Sequence, residues 1–187
     1  MTYRELLWEI ATENHGIVTT TQAADAGVPA VELRKLATRG ALRRVGQGVY
    51  RHLLAPTDRY TELAATVAAA GETAFLQKES VLAIFGLADV NPITIQVGDL
   101  RRNRANLPPH VALVRREDLT RDDLTQYQGI PTTTVYRALV DCLPRLMVDR
   151  AQIAAQDALA EGLITNSEFD DLRLRLRQRR RQLGAAA

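Results

Sequence analysis

The sequence holds a single cysteine, Cys142. An intramolecular disulfide is therefore excluded, and nothing points to an oxidising compartment. Aromatic residues make up only 5% of the chain, so a core has to be built from aliphatic side chains. No apolar run approaches the ~20 residues that a membrane-spanning helix needs. The opening Met-Thr-Tyr-Arg-Glu lacks the apolar stretch of a secretory leader. A cytoplasmic protein is expected.

Catalytic signals are equally sparse. His15, His52 and His110 lie far apart and have no cysteine neighbours, which speaks against metal ligation. His15 and His52 are expected on the surface. Lys35 and Lys78 are the only lysines, and Leu33 and Leu76 stand two places before them. The carboxylate-x-Lys pattern of metal-dependent nucleases is thus missing. No glycine-rich loop precedes a Lys-Ser/Thr pair, so a phosphate-cradling loop is missing too. Cys142 lies beside Val140 and Leu143 and reads as a buried structural thiol. The acid pairs Glu117-Asp118, Asp122-Asp123 and Asp170-Asp171 read as solvated helix starts. Arg137 and Asp141 have the i,i+4 spacing of an intrahelical ion pair. No catalytic residue, cofactor or metal is expected, and the chain reads as a non-enzyme.

What is present is concentrated in residues 16–51. Thr20 or Thr21 is placed to cap a helix over Gln22–Ala26, and Gly27 suits the left-handed residue that ends it. Pro29 fits the first turn of a following helix. In that helix Leu33, Leu36 and Ala37 share one face, and Val31, Arg34, Lys35 and Thr38 share the other. Gly40 closes it. Ala41–Val45 and Val49–Leu53 alternate as strands around Gly46-Gln47-Gly48, a tight hairpin turn. With a first helix over Tyr3–Asn14, this is the pattern of a winged helix-turn-helix. Charge agrees: residues 30–51 carry six basic side chains and one acid, Glu32. Such a patch supplies phosphate contacts.

The whole chain of 187 residues has a net charge of only +2, yet six arginines crowd into residues 173–181. Both ends are basic and the middle is acidic, which suggests different partners for them. Two units are expected, 1–55 as the winged helix-turn-helix and 56–187 as a mixed α/β domain. In the second, Thr57 or Asp58 caps a helix over 59–70, and another covers 77–85. A strand around Ile95 pairs with Val111–Arg115, and Tyr127–Ile130 adds a short strand. Helices follow over 135–143, over 153–161 after an Asp149/Gln152 capping box, and after Thr165/Glu168. The fold class is α+β, with a small antiparallel sheet and C-terminal helices in the second unit.

With these segments placed, the chain resembles the AbiEi family of antitoxins from bacterial type IV-class toxin–antitoxin modules. The matching pieces are Gly16-Ile17-Val18-Thr19, Leu36…Gly40-Ala41-Leu42 and Gly48-Val49-Tyr50. Further on come Glu79-Ser80-Val81-Leu82…Gly86-Leu87 and Gly129-Ile130-Pro131-Thr132-Thr133…Arg137-Ala138-Leu139-Val140-Asp141. Pro29 and Ala138 depart from the usual pattern. The resemblance implies a winged helix joined to an α/β domain, autorepression through operator DNA, and neutralisation of a nucleotidyltransferase-like toxin. Relatives with an added Vsr-like endonuclease domain are longer than this chain.

The expected DNA contacts are Thr20, Thr21, Val31, Arg34, Lys35, Thr38, Arg39, Arg43, Arg44 and Gln47. Val31, Arg34, Lys35 and Thr38 would face the major groove, and Arg39, Arg43, Arg44 and Gln47 would mostly hold phosphates. Arg173, Arg177, Arg180 and Arg181 form a candidate second polyanion contact. The same run reads alternatively as a solvated face or a toxin-facing surface. Two rival readings stand beside the antitoxin: a solitary transcriptional regulator, and a protein-interaction module whose winged helix never touches DNA.

Overall fold

The computed structural model describes residues 2–185. Its first 55 residues build α1 (Tyr3–Glu13), β1 (Ile17–Thr19), α2 (Thr20–Asp25), α3 (Ala30–Thr38), β2 (Leu42–Gly46) and β3 (Val49–His52). The three strands form an antiparallel sheet in the order β1-β3-β2. Thr2 and Glu5 cap α1 reciprocally, so two orphan donors are satisfied at once. The helix face carrying Leu7 and Ala11 packs with Val18, Ala23, Val28, Leu33, Leu42, Tyr50 and Ala55. Leu7 and Leu33 have no exposed surface, and full burial of a leucine is worth ~1.5–3 kcal/mol.

Three local expectations shift by one or two residues. Thr19, rather than Thr20 or Thr21, caps α2, with Gln22 reaching back to its amide. Sequence alone could not choose among three consecutive threonines. Pro29 is the residue before the helix proper, with φ −63° and ψ 143°. In β2 the register slips between Arg44 and Gly46, so Val45 is an extra, bulged residue at the wing.

The remaining chain forms α4 (Thr61–Ala70), β4 (Ala74–Leu76), α5 (Glu79–Ile84), β5 (Ile95–Asp99), β6 (Val111–Arg115), β7 (Leu124–Tyr127), β8 (Ile130–Thr133), α6 (Val135–Cys142), α7 (Val148–Ala160) and α8 (Asn166–Ala185). The α+β class holds, but the second sheet is larger than expected and mixed. Five strands run in the order β6-β5-β4-β8-β7, with parallel pairs β5–β6 and β4–β8. Strand β4 is three residues long, and its apolar run merges in sequence with the helix after it. Gln128 and Gly129, both at positive φ, make the two-residue turn between β7 and β8. The segment expected as one strand over Tyr127–Ile130 is therefore a hairpin tip. Asp149 lies inside α7, whose cap position is Met147. The Thr165–Glu168 box does start α8.

Helix α4 lies between the two hydrophobic clusters. Val67 and Ala70 enter the second core, while Ala69 meets the wing. A Cβ on Gly46 would lie 2.6 Å from the Cβ of Ala69. A hydrogen in place of a side chain at Gly46, facing the methyl of Ala69, permits this approach. Gly46 is not at positive φ, so Gly46→Val tests packing alone. It is expected to cost about 1–3 kcal/mol in urea denaturation, with measurable coupling to Ala69→Gly in a double-mutant cycle. Additive effects would show that the wing is not docked there.

Candidate nucleic-acid interface

Helix α3 separates its faces as its periodicity requires. Leu33 is buried, Leu36 and Ala37 pack on the core, and Val31, Arg34, Lys35, Thr38 and Arg39 are exposed. These five side chains line one shallow depression. Two are already engaged. Lys35 Nζ lies 2.7 Å from Glu32 Oε1, and the Thr38 hydroxyl donates to the Arg34 carbonyl at 3.0 Å. Val31 remains 46% exposed at the start of the helix, where an apolar contact to a base methyl is geometrically open.

The wing supplies Arg43 and Arg44, both exposed. Arg43 stands opposite Arg51 in the β2–β3 pairing, and Arg44 Nε donates to the Gly46 carbonyl at 3.1 Å, bracing the bulge. Thr20 and Thr21 start α2, and Gln47 sits in the wing turn beside Arg44. All three line a cleft of about 800 Å³ shared with α4 and the β7–β8 turn, and the Thr21 hydroxyl donates to Glu72 Oε1 at 2.9 Å. A threonine on Gly48's side of the turn explains that glycine: its Cβ would lie 2.8 Å from Thr20 Oγ1. The structure thus gathers the residues of α3 into one face and turns this second group toward α4.

A histidine spans the same junction. His15 Nδ1 lies 2.7 Å from Asp58 Oδ2, and its Nε2 lies 2.7 Å from the Gln128 carbonyl. Both partners are acceptors, so both contacts together require the doubly protonated ring. Burial opposes that charge, but the hydrogen bonds to Asp58 and Gln128 and the charge of Asp58 outweigh it, and the His15 pKa rises above 6.5. Asp58 loses some ionisation to burial, yet its bonds from His15 and Tyr60 hold its pKa below 3.8. The ring also stacks edge-on against Tyr60. The histidine contribution is complete below its unfolded pKa and is lost as pH rises through the raised folded value. The thermal midpoint is therefore expected to fall as pH rises from the ordinary histidine pKa through the raised folded value, and His15→Asn should flatten that decline. An equal decline in both proteins would remove the clamp from the explanation.

Neither His15 nor His52 is the surface residue expected. His15 is only 14% exposed at its side chain. His52 is 1% exposed, because β3 is the central strand of its sheet. Burial pushes the His52 pKa down, and nearby Arg4 adds to this.

In the second unit Cys142 is fully buried, and burial pushes its thiol pKa up, away from reactivity. The Arg137–Asp141 pair is present, with Nε to Oδ1 at 3.0 Å, but belongs to something larger. Arg116 Nη1 reaches Asp141 Oδ2 at 2.7 Å, and its Nε and Nη2 grip both oxygens of Asp118 at 2.8 and 3.0 Å. Arg116 also donates to the buried Gln77 amide, and Arg137 to Asp118. Asp118 starts no helix; it joins this network from the solvent side, its side chain 57% exposed. Its hydrogen bond from Arg116 holds its carboxyl far below the usual range. The spacing of Arg116 from Asp141 and Gln77, 25 and 39 residues, hid this from a sequence reading.

Along α8, Arg173, Arg177 and Arg180 share a shallow groove with Val148, Gln152 and Leu176. Arg180 pairs with Asp149 at 2.7 Å, Arg173 pairs with Asp170 at 3.6 Å, and Arg181 is exposed. Arg179 instead donates to the Pro144 and Leu146 carbonyls and pins the α6–α7 turn. Among the described residues no cluster of three or more histidine, cysteine or acidic side chains could hold a metal ion. No described helix is long and apolar enough to cross a membrane.

Comparison with known proteins bears on the N-terminal helices and wing. Residues 5–51 match the family described as transcriptional regulator, AbiEi antitoxin. The matched segment runs from the first turns of α1 to β3, so it holds the whole of α3 and the wing hairpin. The fold is also similar to that of the RV2827C protein from Mycobacterium tuberculosis, with a TM-score of 0.52 and 17% sequence identity. That likeness covers 92% of this chain and 71% of the other, so it extends over the second unit as well. No curated protein matches the chain.

Proposed function

We propose that the chain is an antitoxin and transcriptional autorepressor that binds its operator DNA through α3 and the wing. The single observation that carries this is the α3 face, where Val31, Arg34, Lys35, Thr38 and Arg39 stand together in solvent within a segment of AbiEi regulator type. Arg34 is the base reader, because a guanidinium meets two acceptors of guanine in the major groove. Arg39, Arg43 and Arg44 hold phosphates and set the register. The units 1–55 and 56–187 divide the work, with the second directed at a nucleotidyltransferase-like toxin. The protein acts by binding, without catalysis or cofactor, in the compartment that holds its DNA.

Two experiments separate the rivals. Co-expression of the chain with a neighbouring nucleotidyltransferase gene is expected to restore growth that the nucleotidyltransferase alone arrests. Unrelieved arrest would leave a transcriptional regulator without antitoxin activity. A reporter driven by the chain's own promoter is expected to be repressed, and an unchanged reporter would favour a protein-interaction module.

A further inference from the structure

We infer that residues 100–110, the loop between β5 and β6, form a further contact for the DNA sugar-phosphate backbone, on the second unit beside the wing. This rests on the reading of α3 as the DNA-facing helix and extends the footprint beyond the winged helix.

The loop exists because β5 and β6 are parallel neighbours, so the chain must travel back along the sheet between them. Its start is rigidly held. Asp99, 2% exposed, accepts from the Thr73 hydroxyl at 2.7 Å, the Arg101 amide at 2.9 Å and Asn103 Nδ2 at 2.7 Å. Asn103 also donates to the Ala70 carbonyl at the end of α4, and its Oδ1 accepts from the Ala105 amide at 2.8 Å. The loop is thus tied to the helix that carries the wing.

This scaffold presents Arg101, Arg102 and Arg104, all exposed. Asp99 is the only acid in residues 99–110, and its oxygens are buried and already occupied. Among the described residues none of the three guanidiniums has an ion-pair partner within 4.0 Å. On α8, by contrast, Arg173, Arg175 and Arg180 each face an aspartate, and Arg179 donates to two carbonyls. Three like charges in four residues, offset only by the buried Asp99 near Arg101, repel one another in the free protein, and a polyanion relieves that repulsion.

Position completes the case. Ala105 and Asn106 share a cleft of about 400 Å³ with Arg44, Gly46 and Gln47 of the wing. Arg104 and Gln47 both line the larger cleft beside it. The loop therefore continues the basic edge that Arg44 begins, and a duplex lying on α3 and the wing would bring a backbone strand past it.

The test is a fluorescence-anisotropy salt series with the full chain, its own promoter duplex and a scrambled duplex. The proteins are wild type, Arg34→Ala, the triple Arg101→Ala/Arg102→Ala/Arg104→Ala, and the same triple to Lys. Each phosphate contact contributes about 0.9 to the slope of log K against log salt. The alanine triple is expected to lower that slope by about two to three and to weaken both duplexes about ten- to a hundredfold. The lysine triple should keep most of the slope. An unchanged slope in the alanine triple, with Arg34→Ala still weakening promoter binding, overturns the loop contact alone. Wild type that binds neither duplex overturns both the loop contact and the α3 reading. An alanine triple that keeps its slope but no longer neutralises the toxin overturns the DNA contact in favour of an acidic protein surface.

Discussion

Arg116→Met is expected to lower the stability of the protein by about 3–5 kcal/mol, the usual consequence of removing one member of a buried ionic network. Arg116 is 7% exposed and Asp141 only 9% exposed at its side chain. Without the guanidinium, Asp141 keeps Arg137 but loses a charged partner at 2.7 Å. Gln77, with no exposed surface, loses the donor to its amide oxygen. Methionine fills similar space but donates no hydrogen bond, so both acceptors remain buried and underpaired. The loss should appear as a lower urea midpoint with little change in slope.

The same network sets an acid limit. Asp118 has its pKa lowered by the Arg116 hydrogen bond. Its contribution is present above the ordinary carboxylate pKa and is lost as pH falls through the depressed folded value. In Arg116→Met that part of the acid dependence should shrink. If the variant keeps the wild-type midpoint and acid profile, the network is not what joins the end of β6 to α6.

Arg34→Ala is expected to weaken binding to the chain's own promoter by about 1–3 kcal/mol, and to weaken a scrambled duplex far less. Arg34 lies on the exposed face of α3 without an ion-pair partner among the described residues. Arg43→Ala should behave differently. It should weaken both duplexes about equally and reduce the salt slope by about one, as loss of a phosphate contact does. Isothermal titration or anisotropy against both duplexes distinguishes these patterns. Equal losses for the two variants on both duplexes would make Arg34 a phosphate contact and leave base reading to its neighbours.

The N-terminal unit was legible because its signals are local. Caps, the positive-φ glycines Gly27, Gly40 and Gly48, and the 3.6-residue alternation of α3 all act within a few residues. Even there the sequence misplaced the cap among Thr19, Thr20 and Thr21, and it could not see that α4 turns Thr20, Thr21 and Gln47 toward a cleft. The second unit was legible mainly in its helices. Strand β4 has three residues and no alternation, and Pro131 inside β8 argues against a strand although β7 pairs with it. The register of a mixed sheet depends on contacts between distant segments, as with Leu76 and Thr132. The same holds for the site. The basic faces of α3 and α8 follow from spacing, whereas the Arg116 network, the His15 clamp and the position of the β5–β6 loop arise only when distant segments meet.

The most direct measurement is a titration of the full chain against its own promoter duplex and a scrambled duplex at two salt concentrations. The account expects tight binding to the promoter, much weaker binding to the scrambled sequence, and a steep loss of both as salt rises. Equal, weak affinity for the two duplexes at low salt would contradict it, and would make the exposed face of α3 a surface for protein rather than DNA.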